Sequence, residues 1–149
     1  MNAFVSAGAG FLLAVLWFDL MFDVQVLRRG GEALPEPVLA SIAGYYARVT
    51  TAARPMNRLV AAVMLATLAA IVVELARGGA HLWARWTSLA LALAAISLAA
   101  AHTVPAAVRL GSRRDAPARQ CALARSICRD HLFCAGAIAA VLVIQLVVF

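Results

Sequence analysis

Residues 4–27 read FVSAGAGFLLAVLWFDLMFDVQVL. A spanning helix takes roughly 20 mostly apolar residues, and this stretch has that length with only two ionisable side chains, Asp19 and Asp23, both near its end. Their spacing of four places both carboxylates on one helix face. An ionised carboxylate in hydrocarbon costs about 2.5–3.5 kcal/mol even on lenient insertion scales. The face therefore demands partners from elsewhere in the chain.

Three further apolar stretches follow, at residues 56–76, 82–110 and 121–149. The chain has 149 residues, 64% hydrophobic and 13% charged, where a soluble domain carries about 25% charged residues. The expectation is an integral membrane protein: an all-α bundle of four transmembrane helices in antiparallel up-down order, forming a single domain over residues 1–149. The first stretch reads as a retained helix, since it lacks a basic leader and carries two aspartates beyond its apolar core. Between the first two spans, the mixed segment 38–53 suits a short interfacial helix, lying along one leaflet or leading directly into the second span. Pro55 marks the junction, because the residue before a proline avoids helical geometry.

The ionisable residues converge. Asp19 and Asp23 end the first span, Arg54, Asn57 and Arg58 open the second, His102 and Arg109 close the third, and Arg125, Arg129 and His131 open the fourth. Alternating helix directions put all of these at one side of the membrane. All thirteen basic residues are arginine, and eleven fall around the first and third loops, leaving Arg77 and Arg85 at the second. Positive residues favour the cytoplasmic side, so the first and third loops are expected inside and both termini outside, in a bacterial inner membrane. Loop arginines next to a bilayer are explained by topology and by attraction to anionic lipid. Short membrane-hugging loops without a recognition module argue against a nucleic-acid partner.

The chemistry open to this layer follows from its residue types. A histidine near two carboxylates acts as a general base or proton relay close to neutral pH, which makes His102, Asp19 and Asp23 the catalytic candidates. Arg54, Asn57, Arg58, Arg109 and Arg125 would orient an anionic group, with Trp17 lining an apolar pocket for a lipophilic molecule. Asp19, Asp23, His102 and His131 also make a nitrogen and oxygen ligand set for zinc, iron or copper. No HExxH-type motif accompanies them and arginines lie close by, so the metal stays an alternative and no other cofactor is indicated. Cys121, Cys128 and Cys134 form no CxxC pair and read as packing residues. Glu74, close to Arg77, reads as an interfacial ion pair.

The order of elements resembles the anthrone-oxygenase-like family of small four-helix membrane proteins. The likeness rests on Tyr46-Ala47-Arg48 leading to Arg54-Pro55, on His102-Thr103-Val104-Pro105 late in the third span, and on Arg125 to His131 opening the fourth. The chain departs from that pattern at Ala106-Ala107, where the family commonly has a Pro-Thr-Asn run, and at Ile127-Cys128, which stand where a tryptophan is common. The resemblance implies oxygenation of an electron-rich aromatic in a membrane pocket, with His102 as base. Arg54 and Asn57 also loosely echo the membrane-associated eicosanoid and glutathione metabolism proteins, without the glutamate that accompanies their asparagine.

Three functional classes follow. One is an enzyme or binder of a lipophilic, aromatic or anionic small molecule at the inner leaflet. Another is a structural or accessory subunit, as a homo-oligomer or within a membrane complex, where the polar layer fixes helix register. The third is a small-molecule transporter, which would need polar residues through the other half of the bilayer. There the chain offers little beyond Thr67, Ser88, Ser97 and Gln145.

Overall fold

The computed structural model describes residues 2–27, 33–52 and 54–149, with the backbone alone at residue 54. Among the described residues there is no strand. The helices are α1 (Asn2–Asp23), α2 (Glu36–Ala47), α3 (Arg54–Ala76), α4 (Leu82–Leu98), α5 (Val104–Gly111) and α6 (Pro117–Val148). Four stretches are long and apolar enough to cross a membrane: Asn2–Val26, Pro55–Ala76, Leu82–Gly111 and Pro117–Val148. The protein is an all-α bundle with four spans. The Arg28-Arg29-Gly30-Gly31 turn expected after the first span lies outside the described residues.

α1 packs against α3 and α6, and α4 packs against the same two helices. Chain neighbours are thus spatial neighbours, as short connections between antiparallel helices require. Small residues line the contacts: Ala9, Ala70, Ala92, Ala95 and Ala137 are buried together with Val5, Leu12, Ile71, Ile138 and Val141. Helices in lipid associate through close packing rather than by escape from water. Large side chains such as Trp17, Phe18, Leu65 and Val147 accordingly point outward, the last 78% exposed. At Gly8 there is no room for a Cβ, which would run into Thr67 Oγ1.

The fourth span begins at Pro117, four residues before the expected Cys121, because a proline is well suited to the first turn of a helix, where its missing N–H costs nothing. At 32 residues α6 is about 48 Å long, some three turns more than a hydrocarbon core of about 30 Å needs. Its first turns join α2 and α5 in a second core, formed by Leu39, Ile42, Ala43, Tyr46, Ala106, Ala107, Leu110, Ala124 and Ile127. α2, which precedes the second span, therefore turns its apolar face onto α5 and α6. A Cβ at Gly111 would lie 2.7 Å from the Ala47 backbone nitrogen, so only glycine permits α5 to end that close to α2.

Two prolines are preceded by a π-helical turn: Arg48–Ala52 comes before Pro55 at the start of the second span, and Ala99–Thr103 before Pro105 within the third. Proline has no N–H to donate, and its ring clashes with the carbonyl four residues back. A widened turn relieves that clash. At the first, the Asn57 side chain donates to the Thr50 carbonyl oxygen (2.9 Å), occupying Asn57 with the backbone. At the second, the Val104 N–H reaches back to the Ala99 carbonyl, and the turn carries His102 and Thr103.

Candidate functional site

The layer lies between the two cores. From His131 to the end of α6, and from Asn2 to Asp19, there are seventeen helical steps, about 26 Å. That is close to the thickness of a hydrocarbon core, about 30 Å.

The structure gives Asp19 and Asp23 their partners, and the imidazole between them is His131. Asp23 is fully buried. Its Oδ2 lies 2.6 Å from His131 Nδ1, and its Oδ1 accepts the Tyr46 hydroxyl at 2.7 Å. Asp19 Oδ2 is 3.8 Å from His131 Nε2, and Asp19 Oδ1 accepts the Tyr45 hydroxyl at 2.7 Å. The order is Tyr45, Asp19, His131, Asp23, Tyr46: each carboxylate has one phenol and one nitrogen of the same ring. A carboxylate can only accept, so the Nδ1–H donates to Asp23. The Tyr45 ring stacks on Phe22 with centroids 4.1 Å apart, which holds α2 against α1. Burial beside the carboxylates pushes the Tyr45 and Tyr46 phenols well above their ordinary range, burial being the larger cause. Both remain donors.

His102 is not part of this set. It stands on the other side of α6, where its Nδ1 lies 2.6 Å from Asp130 Oδ2, and the Thr103 hydroxyl donates to the same oxygen at 3.0 Å. The His102 side chain is 53% exposed and that of Asp130 13%. With Nδ1–H directed to the carboxylate, the ring is held in the tautomer whose Nε2 accepts a proton. The separation from Asp19 and Asp23 has a simple cause: residues 130 and 131 differ by about 100° around α6, so one faces α4 and α5 and the other faces α1.

The arginine and tryptophan candidates are dispersed. Arg109 forms a two-pronged pair with Asp115 in the third loop, Nε to Oδ2 and Nη2 to Oδ1 both at 2.7 Å. The Arg109 guanidinium holds the Asp115 carboxyl below its usual range. Arg58 is exposed, Arg125 is half-buried, and the side chain of Arg54 lies outside the described residues. Trp17 is 68% exposed and faces outward rather than toward the aspartates. Arg113 of the third loop pairs with Glu36 at the start of α2. Glu74 and Arg77 form no ion pair; the Glu74 carbonyl oxygen instead accepts from Arg85 (2.9 Å).

Among the described residues no group of three or more His, Cys, Asp and Glu is placed to hold a metal ion. Cys121, Cys128 and Cys134 are buried free thiols, and Cys134 donates to the Ala95 carbonyl oxygen (3.5 Å), a link between α6 and α4. The sequence does not reveal Tyr45 and Tyr46 as donors to the aspartates, Asp130 as the partner of His102, or the place of His131, expected only as a metal-ligand candidate, between the two carboxylates. The available signal was the demand of two carboxylates for hydroxyl donors, and the only phenols in the chain are these two. No protein-family model matches this chain, and no curated protein or solved structure does.

Proposed function

We propose that the protein binds a lipophilic molecule with an anionic or phenolic end at one leaflet and removes a proton from it, with His102 as the base. The single observation behind this reading is the His102–Asp130 pair. A carboxylate that fixes the tautomer of a histidine and stabilises its protonated form is the arrangement used in general-base catalysis. Here it presents the ring at the bundle surface, at the depth of the headgroup boundary. The substrate would approach from the lipid, and the arginine-rich loops beside this boundary would attract its charged end. Loss of a proton from an aromatic carbon acid or phenol opens it to oxidation by dioxygen, in keeping with the resemblance to anthrone-oxygenase-like proteins. In this reading the arginine-rich loops face the cytoplasm of a bacterial cell and both termini lie outside.

A second reading, a structural or accessory subunit, is favoured by Asp19 and Asp23. Their donors are all internal, so they serve to fasten α2 and α6 to α1. Mass spectrometry of small molecules retained by the purified protein separates the two. An amphiphile retained by the wild type, and lost or left unconverted in His102→Ala and Asp130→Asn, supports the first. Unchanged retention and turnover in both variants would end it.

A further inference from the structure

At the end of the bundle away from His131, a depression of about 270 Å³, open on one side, is lined by Asn2, Glu74, Arg77, Arg85 and Phe149. Glu74 is only 7% exposed, and its Oε2 is buried without a hydrogen-bond partner. Arg85 directs Nη1 to the carbonyl oxygens of Glu74 and Gly78, and its guanidinium lies 5.5 Å above the Phe149 ring. Its Nε is also buried without a partner. Ser88 is one turn deeper along α4 from Arg85, and Gln145 is one turn deeper along α6 from Phe149. Both are buried, and Ser88 Oγ and both polar atoms of the Gln145 amide have no partner either. Of the seven such buried atoms among the described residues, five belong to these four residues. Buried polar groups are normally satisfied, and two of these exceptions, Glu74 Oε2 and Arg85 Nε, belong to residues that line one opening, which points to a ligand.

The chemistry of the cluster restricts that ligand. Glu74 is a buried carboxylate with no cation within ion-pair distance among the described residues. It requires a donor, and a cationic one meets its charge best. Arg85 Nε is a donor that requires an acceptor, and Ser88 and Gln145 take either role. We propose that this chamber binds a small organic ammonium that carries its own oxygen acceptor, as an amino alcohol or amino acid does. The ammonium meets Glu74 and the oxygen meets Arg85. The same ammonium and oxygen occur in the ethanolamine headgroup of a phospholipid, and Trp83 and Trp86, both exposed at the start of α4, are typical of a membrane interface. Between this chamber and the His131 layer lies the apolar core around Ile71, Ala92 and Val141, so the two are separate sites.

The test uses the full chain in nanodiscs of phosphatidylcholine alone and in discs that also contain phosphatidylethanolamine. Ethanolamine and glycine are titrated into the first while thermal unfolding and calorimetric heat are recorded, with sodium chloride as the ionic control. The expected result is a saturable rise in Tm with at least one amine and none with the salt, and an affinity about tenfold lower or worse in Glu74→Gln. A headgroup source appears instead as phosphatidylethanolamine retained in native mass spectra of the second discs and lost in the same variant. Arg85→Lys, which keeps the charge but lacks the Nε donor, weakens binding in parallel and decides the matter if Glu74→Gln does not fold. Absence of saturable binding in both discs, or wild-type affinity in the variant that folds, overturns the proposal.

Discussion

Asp130 and His131 are consecutive in α6, yet they serve different helices: Asp130 holds His102 at 2.6 Å on one side, and His131 holds Asp23 at 2.6 Å on the other. A rotation of about 100° per residue is enough to divide them. The buried half is a lock between α1, α2 and α6, and the exposed half presents an imidazole at the bundle surface.

The lock should dominate stability. Removing one member of a buried charged pair leaves the other unpaired, at a cost of about 3–5 kcal/mol. Asp23→Ala is expected to lose that much in denaturant unfolding in detergent, and Tyr46→Phe about 1–2 kcal/mol for one buried hydrogen bond. Because both variants break the same contact, the double variant should lose clearly less than the sum. Strict additivity would mean that Tyr46 and Asp23 do not interact. Asp115→Asn, which weakens the pair with the half-exposed Arg109, is expected to cost far less than Asp23→Ala, since surface ion pairs contribute little.

The phenols provide a pH test, since Tyr45 and Tyr46 are the only tyrosines in the chain. Both are raised in the folded protein, whereas an unfolded phenol titrates near pH 10. Their contribution to stability is therefore complete below that pH and is lost as pH rises through it toward the folded value. Ultraviolet titration of the folded protein should show no phenolate absorbance near pH 10, and Tm should fall from there upward. A full two-tyrosine step near pH 10 in the folded protein would contradict the hydrogen bonds of both hydroxyls to the carboxylates.

Two glycines test the close contacts in different ways. Gly8→Ala meets the side chain of Thr67, so the loss of about 1–3 kcal/mol expected for overpacking should be largely recovered by adding Thr67→Ala. Gly111→Ala meets the Ala47 backbone, which no side-chain change can clear. Gly44→Ala, with nothing within 4 Å of the added carbon, serves as the neutral control. Equal unfolding midpoints for all three would show that α1 and α3, and α2 and α5, do not approach as described.

Much of this was legible in the sequence. Hydropathy alone locates the four spans, since the bilayer sets their length, and the four-residue spacing of Asp19 and Asp23 already requires buried partners. Which histidine supplies the partner was not legible. His102 and His131 both lie near the same boundary, and the choice depends on the rotational phase of α6 and on the widened turn before Pro105, which hydropathy does not report. Tyr45 and Tyr46 resemble ordinary interfacial aromatics until α2 is seen folded onto α1 and α6. Arg109 drew attention as a ligand for an anion, although its nearest anion is Asp115, six residues away in the following loop.

The division between the two histidines is tested most directly by nitrogen NMR of the imidazole rings in the full chain, which has only three histidines. Asp23→Asn is expected to move the His131 ring nitrogens and leave those of His102 in place, whereas Asp130→Asn should move those of His102. A response of the His102 ring to Asp23→Asn, with His131 undisturbed, would contradict the account.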